Sequence, residues 1–211
     1  MHSKCNRCKM KLVILTKSTF FVEEDKVLAA LFDEGMDNLH LYKPGSSSIF
    51  SERLLSLLPT EHHRKITIHD HFQLTQSYHL AGIHLDTPNR IAPEGYRGRI
   101  SCTCTDLFKL REMRKHADYV FLKNIFDCIE TKDETATFTI PQLEEAAAAG
   151  MINKKTYALG GITPENMSIM RSLGFGGVVV CGDLWNRFDV HSETDFKNIV
   201  THFTRLRKAA G

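Results

Sequence analysis

Short apolar runs alternate with amphipathic segments along the chain. Lys11–Thr16 is a predicted buried strand, and Val27, Leu28 and Leu31 share one face of a predicted helix, Glu23–Glu34. Further strands are predicted at Asn38–Tyr42, Lys65–His69, Gly82–Asp86, Arg99–Thr103, Ala117–Leu122, Tyr157–Leu159 and Gly177–Val180. Further helices are predicted at Ser48–Leu58, after His69–His71, and at Asp106–Lys115, Leu143–Ala149, Pro164–Leu173 and Glu193–Arg207. This alternation predicts an α/β fold, a single (β/α)8 TIM barrel.

Two connections depart from the regular pattern. Thr87–Gly98, between strands four and five, is rich in Pro, Gly and Arg and lacks helical periodicity, which predicts a shortened connection. Asn124–Thr139 is a long polar loop of the kind that closes over an active site or is simply mobile. No linker or repeat divides the chain, so residues 10–211 are predicted to form one barrel after a disordered leader at residues 1–9.

Two strand ends carry glycines that are followed by a predicted helix. Gly160–Gly161 precedes Thr163, a predicted N-cap, and Pro164, the first helical position; Cys181–Gly182 ends the next strand. Free N–H groups and the helix dipole favour a phosphate at such a junction, and paired junctions after the last two strands form a phosphate site in barrels of this type. The alternative is that these glycines serve only tight turns and packing.

Composition narrows the classes of function. The chain has 211 residues, of which 42% are hydrophobic and 25% charged, with a net charge of +2 and no long run of one sign. This pattern predicts neither a nucleic-acid partner nor a membrane partner. A cytoplasmic enzyme or binding protein for small phosphorylated molecules is expected, because the predicted strand ends are polar and mixed in charge.

The cysteines are expected to be reduced thiols, since no signal peptide precedes them. They are Cys5, Cys8, Cys102, Cys104, Cys128 and Cys181. Cys5 and Cys8 have a metal-binding spacing, but a structural zinc site needs four ligands and no suitable second pair follows. The pair either binds a metal or belongs to the disordered leader.

Several motifs, in register with the predicted strands, together resemble the thiamine phosphate synthase family and its thiazole tautomerase relatives. They are Ala81–Leu85, Ala117–Val120, Leu159–Asn166, Gly177–Val180 and the acid Asp70 after strand three. The resemblance spans Lys11–Trp185. It implies a role in thiamine biosynthesis, in which an aminopyrimidine diphosphate ionises, the nitrogen of a thiazole phosphate captures the carbocation, and Mg²⁺ binds the departing diphosphate.

The resemblance also implies site residues. The catalytic residues are Lys132 and Asp70, and the metal ligands are Asp70 and Asn89. The aminopyrimidine diphosphate is expected to contact His40, Tyr42, Lys43, His69 and Thr103. The thiazole phosphate is expected to contact Thr131, Gly160, Gly161, Ile162, Val180, Cys181 and Gly182.

Other positions depart from the family pattern. An arginine is missing from strand two, Asn89 replaces a carboxylate, and Lys132 comes one residue late. The preferred register places Thr103 and Thr105 where the family has Ser-x-His; a shift of one residue places Cys102 and Cys104 there instead. Weak or altered synthase activity is therefore expected. The alternatives are a thiazole tautomerase and a non-catalytic barrel that binds thiamine phosphate or a precursor, and a homodimer is a further option.

Overall fold

A closed barrel of eight parallel strands, each paired with its neighbours in chain order, forms the centre of the protein. The computed structural model describes residues 9–87, 89–131, 133–186 and 193–211. The strands are β1 Lys11–Leu15, β2 Leu39–Leu41, β3 Ile66–Ile68, β4 Gly82–Leu85, β5 Arg99–Cys104, β6 Tyr119–Leu122, β7 Thr156–Leu159 and β8 Gly177–Val180. The pairing is continuous around the ring. β8 closes the ring by pairing with β1, where Val13 lies opposite Val179. The predicted (β/α)8 barrel is confirmed.

The helices lie between the strands. They are α1 Glu24–Asp33, α2 Ser48–Leu57, α3 Thr60–His63, α4 Leu74–Ser77, α5 Leu110–His116, α6 Ile140–Ala148, α7 Met167–Ser172, α8 Gly182–Trp185 and α9 Glu193–Ala210. The described residues between Leu85 and Arg99 form no helix, in agreement with the predicted shortened connection. None of the helices in the described part of the chain combines the length and apolar character needed to cross a membrane.

Alternate residues of the strands supply two separate cores. One side packs against the helices in a large cluster that includes Ile14, Leu122 and Val180. The other side fills the barrel, where Phe121 and Tyr157 belong to a smaller apolar cluster. This period-two division is the reason why strands buried on both faces appear as continuous apolar runs in the sequence.

Several local predictions are wrong in detail. The short helices α3 and α8 were not expected, and the helix after β3 begins at Leu74 rather than near His69. α6 begins earlier than Leu143 because Thr139 and Gln142 form a capping box, a signal visible in the sequence. Trp185, at the end of α8, is fully buried and donates a hydrogen bond from Nε1 to the Leu15 carbonyl at 2.7 Å.

Candidate active site

The carboxyl ends of β3 and β4 bring two carboxylates to one guanidinium. Arg90 donates a hydrogen bond of 2.7 Å to Asp70 Oδ1 and one of 3.1 Å to Asp86 Oδ1. Its guanidinium carbon also lies 4.8 Å from the centre of the Phe72 ring. Partial burial opposes the charge on Arg90, but the hydrogen bonds to both carboxylates outweigh that effect and raise the pKa of the guanidinium.

Asp70 keeps one oxygen for a further ligand. Its Oδ2 atom is buried and has no hydrogen-bond partner in the described part of the chain. Carboxylate oxygens of this kind are preferred ligands of Mg²⁺, and Asp86 offers a second carboxylate beside the first. Asn89 is exposed, and no contact among the described residues joins it to Asp70. Asp70 and Asp86 together fit Mg²⁺, and the ligand role of Asn89 stays a prediction.

Tyr42 lies beside these acids at the end of β2. Burial raises the pKa of its hydroxyl, and the negative charges of Asp86 and Asp70 act in the same direction. Lys123, at the end of β6, opposes this effect and is paired with Glu134 at 2.7 Å. Tyr42 therefore keeps its proton at neutral pH and can donate a hydrogen bond to a ligand.

Three buried histidines form the floor of the site. His40 Nδ1 and His69 Nε2 share a hydrogen bond of 2.9 Å, and His40 Nε2 shares one of 2.8 Å with the Tyr119 hydroxyl. The His69 and His84 rings stack with their centres 4.2 Å apart. Burial lowers the pKa of all three imidazoles, that of His84 to about 3, so the floor is uncharged at neutral pH.

The hydrogen bonds of this floor leave one ring nitrogen for a ligand. His84 shares hydrogen bonds of 2.8 Å with the hydroxyls of Ser101 and Thr103. Five of the six ring nitrogens in the described cluster are thus paired, and His69 Nδ1 is buried without a partner. A metal ion held by all three rings would have to break these hydrogen bonds, so the cluster is better explained as a polar core. His40, predicted to contact substrate, is fully buried and hydrogen-bonded to His69 in this structure.

Lys43 is held in a buried ion pair. It donates hydrogen bonds to Glu24 at 2.6 Å and to the Thr19 carbonyl at 2.8 Å, and the paired side chains are only 1% and 2% exposed. Burial raises the pKa of Glu24 and lowers that of Lys43, whereas their attraction opposes both shifts. The short, charge-assisted geometry indicates that both groups are ionised. The predicted contact between Lys43 and a diphosphate would require this pair to open, so we assign Lys43 a structural role.

The loop after β6 lies directly on both glycine junctions. A Cβ atom at Gly161 would lie 2.4 Å from the Asp127 carbonyl oxygen and 2.6 Å from Phe126 Cβ. At Gly182, a Cβ atom would lie 2.8 Å from Glu130 Cγ. Only glycine permits this close approach, because side-chain atoms would overlap the loop. The close packing of the loop therefore explains why glycine is present at both junctions, and it does not conflict with ligand binding there.

The first glycine junction offers unpaired donors. The backbone N–H groups of Gly161 and Ile162 make no hydrogen bond within the described part of the chain. The predicted N-cap at Thr163 is wrong, because α7 begins only at Met167. Instead, the Asn166 side chain accepts a hydrogen bond from the Thr163 N–H at 3.0 Å and donates one to the Gly161 carbonyl at 2.9 Å. The amide of Asn166 thus fixes the turn that a helix end was expected to form.

Substitution of Gly161 by alanine is predicted to weaken thiazole phosphate binding about tenfold or more, because the loop must shift and the donors move with it. The left-handed backbone at φ 60° adds a destabilisation of about 1–2 kcal/mol. Gly150→Ala is a matched control: its φ is 70°, but nothing lies within 4 Å of the new Cβ. Calorimetric titration and chemical denaturation would separate the two effects. Equal loss of affinity in both variants would contradict a ligand role for Gly161.

The buried thiols are protonated. Burial raises the pKa of Cys102 to about 12 and also raises that of Cys104. Burial likewise places the pKa of Cys181 well above its usual value, and its thiol contacts the Thr16 carbonyl at 3.4 Å. None of these three is a base at neutral pH. Thr103 lies inside the barrel against His84, consistent with the preferred register of strand five.

The remaining predicted contacts lie around the glycine junctions. The side chains of Ile162 and Val180 are buried, so only their backbone atoms are available to a phosphate. Thr131 is exposed on the loop. Lys132 lies outside the described residues, as do Cys5 and Cys8.

Comparison with known proteins identifies relatives of the whole barrel. Residues 25–184 match a family described as thiamine monophosphate synthase. The chain is 43% identical to a thiamine phosphate pyrophosphorylase from Bacteroides thetaiotaomicron of known structure, covering 95% of this chain and 98% of that one with a TM-score of 0.85. A thiamine phosphate pyrophosphorylase from Pyrococcus furiosus shares the fold at 16% identity, covering 97% and 96% of the two chains with a TM-score of 0.74. No match was found among curated protein sequences.

Proposed function

Because the chain belongs to the thiamine monophosphate synthase family, we propose that it joins an aminopyrimidine diphosphate to a thiazole phosphate, with release of diphosphate. Family membership supports a role in thiamine biosynthesis and a transferase activity. The observation that carries the specific reaction is the pair of carboxylates, Asp70 and Asp86, that meet at the carboxyl ends of β3 and β4 with one buried oxygen unpaired.

This pair favours the synthase over the tautomerase. A diphosphate leaving group needs positive charge as it departs, and two adjacent carboxylates are suited to hold Mg²⁺ there. A tautomerase instead needs a base. Thr103 occupies the family position in the preferred register, and the neighbouring thiols of Cys102 and Cys104 are protonated.

Each part of the site has a role in this proposal. Mg²⁺ bound by Asp70 and Asp86 would neutralise the developing charge of the diphosphate. His69 Nδ1 and the Tyr42 hydroxyl, whose rings lie 5.2 Å apart, would hydrogen-bond the aminopyrimidine. The uncharged histidine floor would not repel the carbocation formed when the carbon–oxygen bond breaks, as imidazolium groups would.

The second substrate and the loop complete the proposal. The free N–H groups of Gly161 and Ile162 would bind the thiazole phosphate as hydrogen-bond donors. Lys132, predicted to be catalytic, would act as a point charge on an oxygen of the diphosphate or of the thiazole phosphate. The loop residues Phe126 and Glu130, which lie on the glycine junctions, would exclude water that could otherwise capture the carbocation.

The test is an assay with two alternative thiazoles. Protein and aminopyrimidine diphosphate are mixed with thiazole phosphate, with and without Mg²⁺, and thiamine phosphate is measured by chromatography. The proposal predicts Mg²⁺-dependent product. In a parallel sample, the unrearranged thiazole phosphate is supplied alone. Its conversion, without thiamine phosphate formation in the first assay, would instead identify a tautomerase; thiazole phosphate binding without any product would identify a binding protein.

A further inference from the structure

Arg90 lies between the two carboxylates that fit a metal ion. Its two terminal nitrogens contact different acids, Asp70 at 2.7 Å and Asp86 at 3.1 Å. The guanidinium is therefore a positive charge directly beside the carboxylates that Mg²⁺ would share. Although Asp70 Oδ2 is free to bind an ion, two adjacent cations on the same pair of acids repel each other.

The surroundings of Arg90 allow it to change partners. The residue lies in the connection after β4, whose described residues form no helix, and its side chain is 29% exposed. The Phe72 ring beneath the guanidinium provides a surface on which a cation remains stabilised. Asp70 Oδ2, buried without a partner in the described chain, offers an incoming ion a first contact before the guanidinium leaves.

Two other described lysines near the site are also paired. Lys43 is buried with Glu24, and Lys123 contacts Glu134 at 2.7 Å. The strand-two arginine of the family pattern is absent, since Tyr42 and Lys43 follow β2 directly. Of these three paired cations, Arg90 is the one whose acids a metal ion can take over, which would release it to bind an arriving diphosphate.

We propose that Arg90 is an exchangeable cation: it neutralises Asp70 and Asp86 in the free protein, yields them to Mg²⁺, and then binds the diphosphate that arrives with the metal. This inference rests on the proposed function, which supplies the diphosphate substrate. The exchange changes the net charge of the site. In the free protein, two carboxylates and one guanidinium together carry −1. When Mg²⁺ is added and the guanidinium is released beside it, the same groups carry +1 and attract an anion. It also gives the site the planar, bidentate donor that β2 lacks.

The test measures binding rather than turnover. Mn²⁺, used in place of Mg²⁺, is titrated into the free protein and followed by electron paramagnetic resonance, and inorganic diphosphate is then titrated in the presence of saturating Mg²⁺. Arg90→Ala is predicted to bind Mn²⁺ about tenfold more tightly than the original protein, because the acids are no longer neutralised. The same variant is predicted to bind diphosphate about ten- to a hundredfold more weakly.

Two further variants make the outcome specific. Arg97→Ala removes an exposed guanidinium from the same connection and is expected to change neither affinity. Arg90→Lys keeps the charge but not the bidentate donor, so Mn²⁺ affinity should stay near that of the original protein while diphosphate affinity falls. Unchanged Mn²⁺ affinity in Arg90→Ala, or tighter Mn²⁺ binding with unchanged diphosphate affinity, would overturn the exchange. Both titrations are independent of whether thiamine phosphate is formed.

Discussion

Substitution of Asp70 by asparagine is predicted to lower kcat/KM for thiamine phosphate formation at least a hundredfold, roughly 3 kcal/mol of transition-state stabilisation. The change preserves the shape of the side chain but removes the negative charge that fits Mg²⁺ and that receives the 2.7 Å hydrogen bond from Arg90. Because Oδ2 is buried and unpaired in the described chain, little of this loss should come from folding. Steady-state kinetics at saturating Mg²⁺ would measure the loss of rate, and a separate titration with Mn²⁺ would measure the loss of metal affinity.

The control for this prediction is Asp37→Asn. Asp37 is exposed near the amino end of the barrel, 3.9 Å from Lys11, and surface pairs of this kind contribute little. It should change neither the rate nor metal affinity. An Asp70→Asn variant within threefold of the original rate would show that this carboxylate does not act in the reaction.

Substitution of Lys43 by methionine is predicted to destabilise the protein by about 3–5 kcal/mol, because it leaves Glu24 as an uncompensated buried charge. Lys43 is the described cation that pairs with Glu24, so its removal leaves no countercharge beside the carboxylate among the described residues. The loss is a large fraction of a typical domain stability of about 5–15 kcal/mol. Denaturant titration would measure it. The double variant Lys43→Met with Glu24→Leu should recover most of the loss, because no charge remains buried.

The loss should also depend on pH in a defined direction. Burial raises the folded-state pKa of Glu24 above its usual value of 4.5, and removal of Lys43 raises it further. The folded state then binds the proton more tightly than the unfolded state, so stability falls as pH rises above 4.5. Lys43→Met should therefore be less destabilising near pH 5 than at pH 8. A loss below about 1 kcal/mol at pH 8 would contradict the buried ion pair.

The barrel is predictable because each strand is buried on both faces. Runs such as Lys11–Thr16 and Gly177–Val180 are apolar at nearly every position, and the intervening segments have helical periodicity. The predicted strand bounds hold to within one or two residues. The details that fail depend on side-chain hydrogen bonds, as where Asn166 ties down the turn that Thr163 was expected to cap.

The site is less predictable because its pairings join positions distant in sequence. The sequence near Lys43 gives no sign that Glu24 is its partner. From the sequence alone, a lysine that follows a strand therefore looks like a phosphate ligand. Arg90 has no motif of its own; its role follows from the distances to Asp70 and Asp86. The family pattern points to Asn89 by alignment, whereas the contacts of Arg90 with Asp70 and Asp86 appear only in the structure.

The most direct test of the proposed reaction is phosphorus NMR of the protein with equimolar aminopyrimidine diphosphate, thiazole phosphate and Mg²⁺. We predict that free diphosphate and thiamine phosphate appear in equal amounts and at the same rate, and that Asp70→Asn slows both together. Absence of both products would contradict synthase activity. Release of diphosphate without thiamine phosphate would also contradict it, since the carbocation would then be captured by water rather than by the thiazole nitrogen.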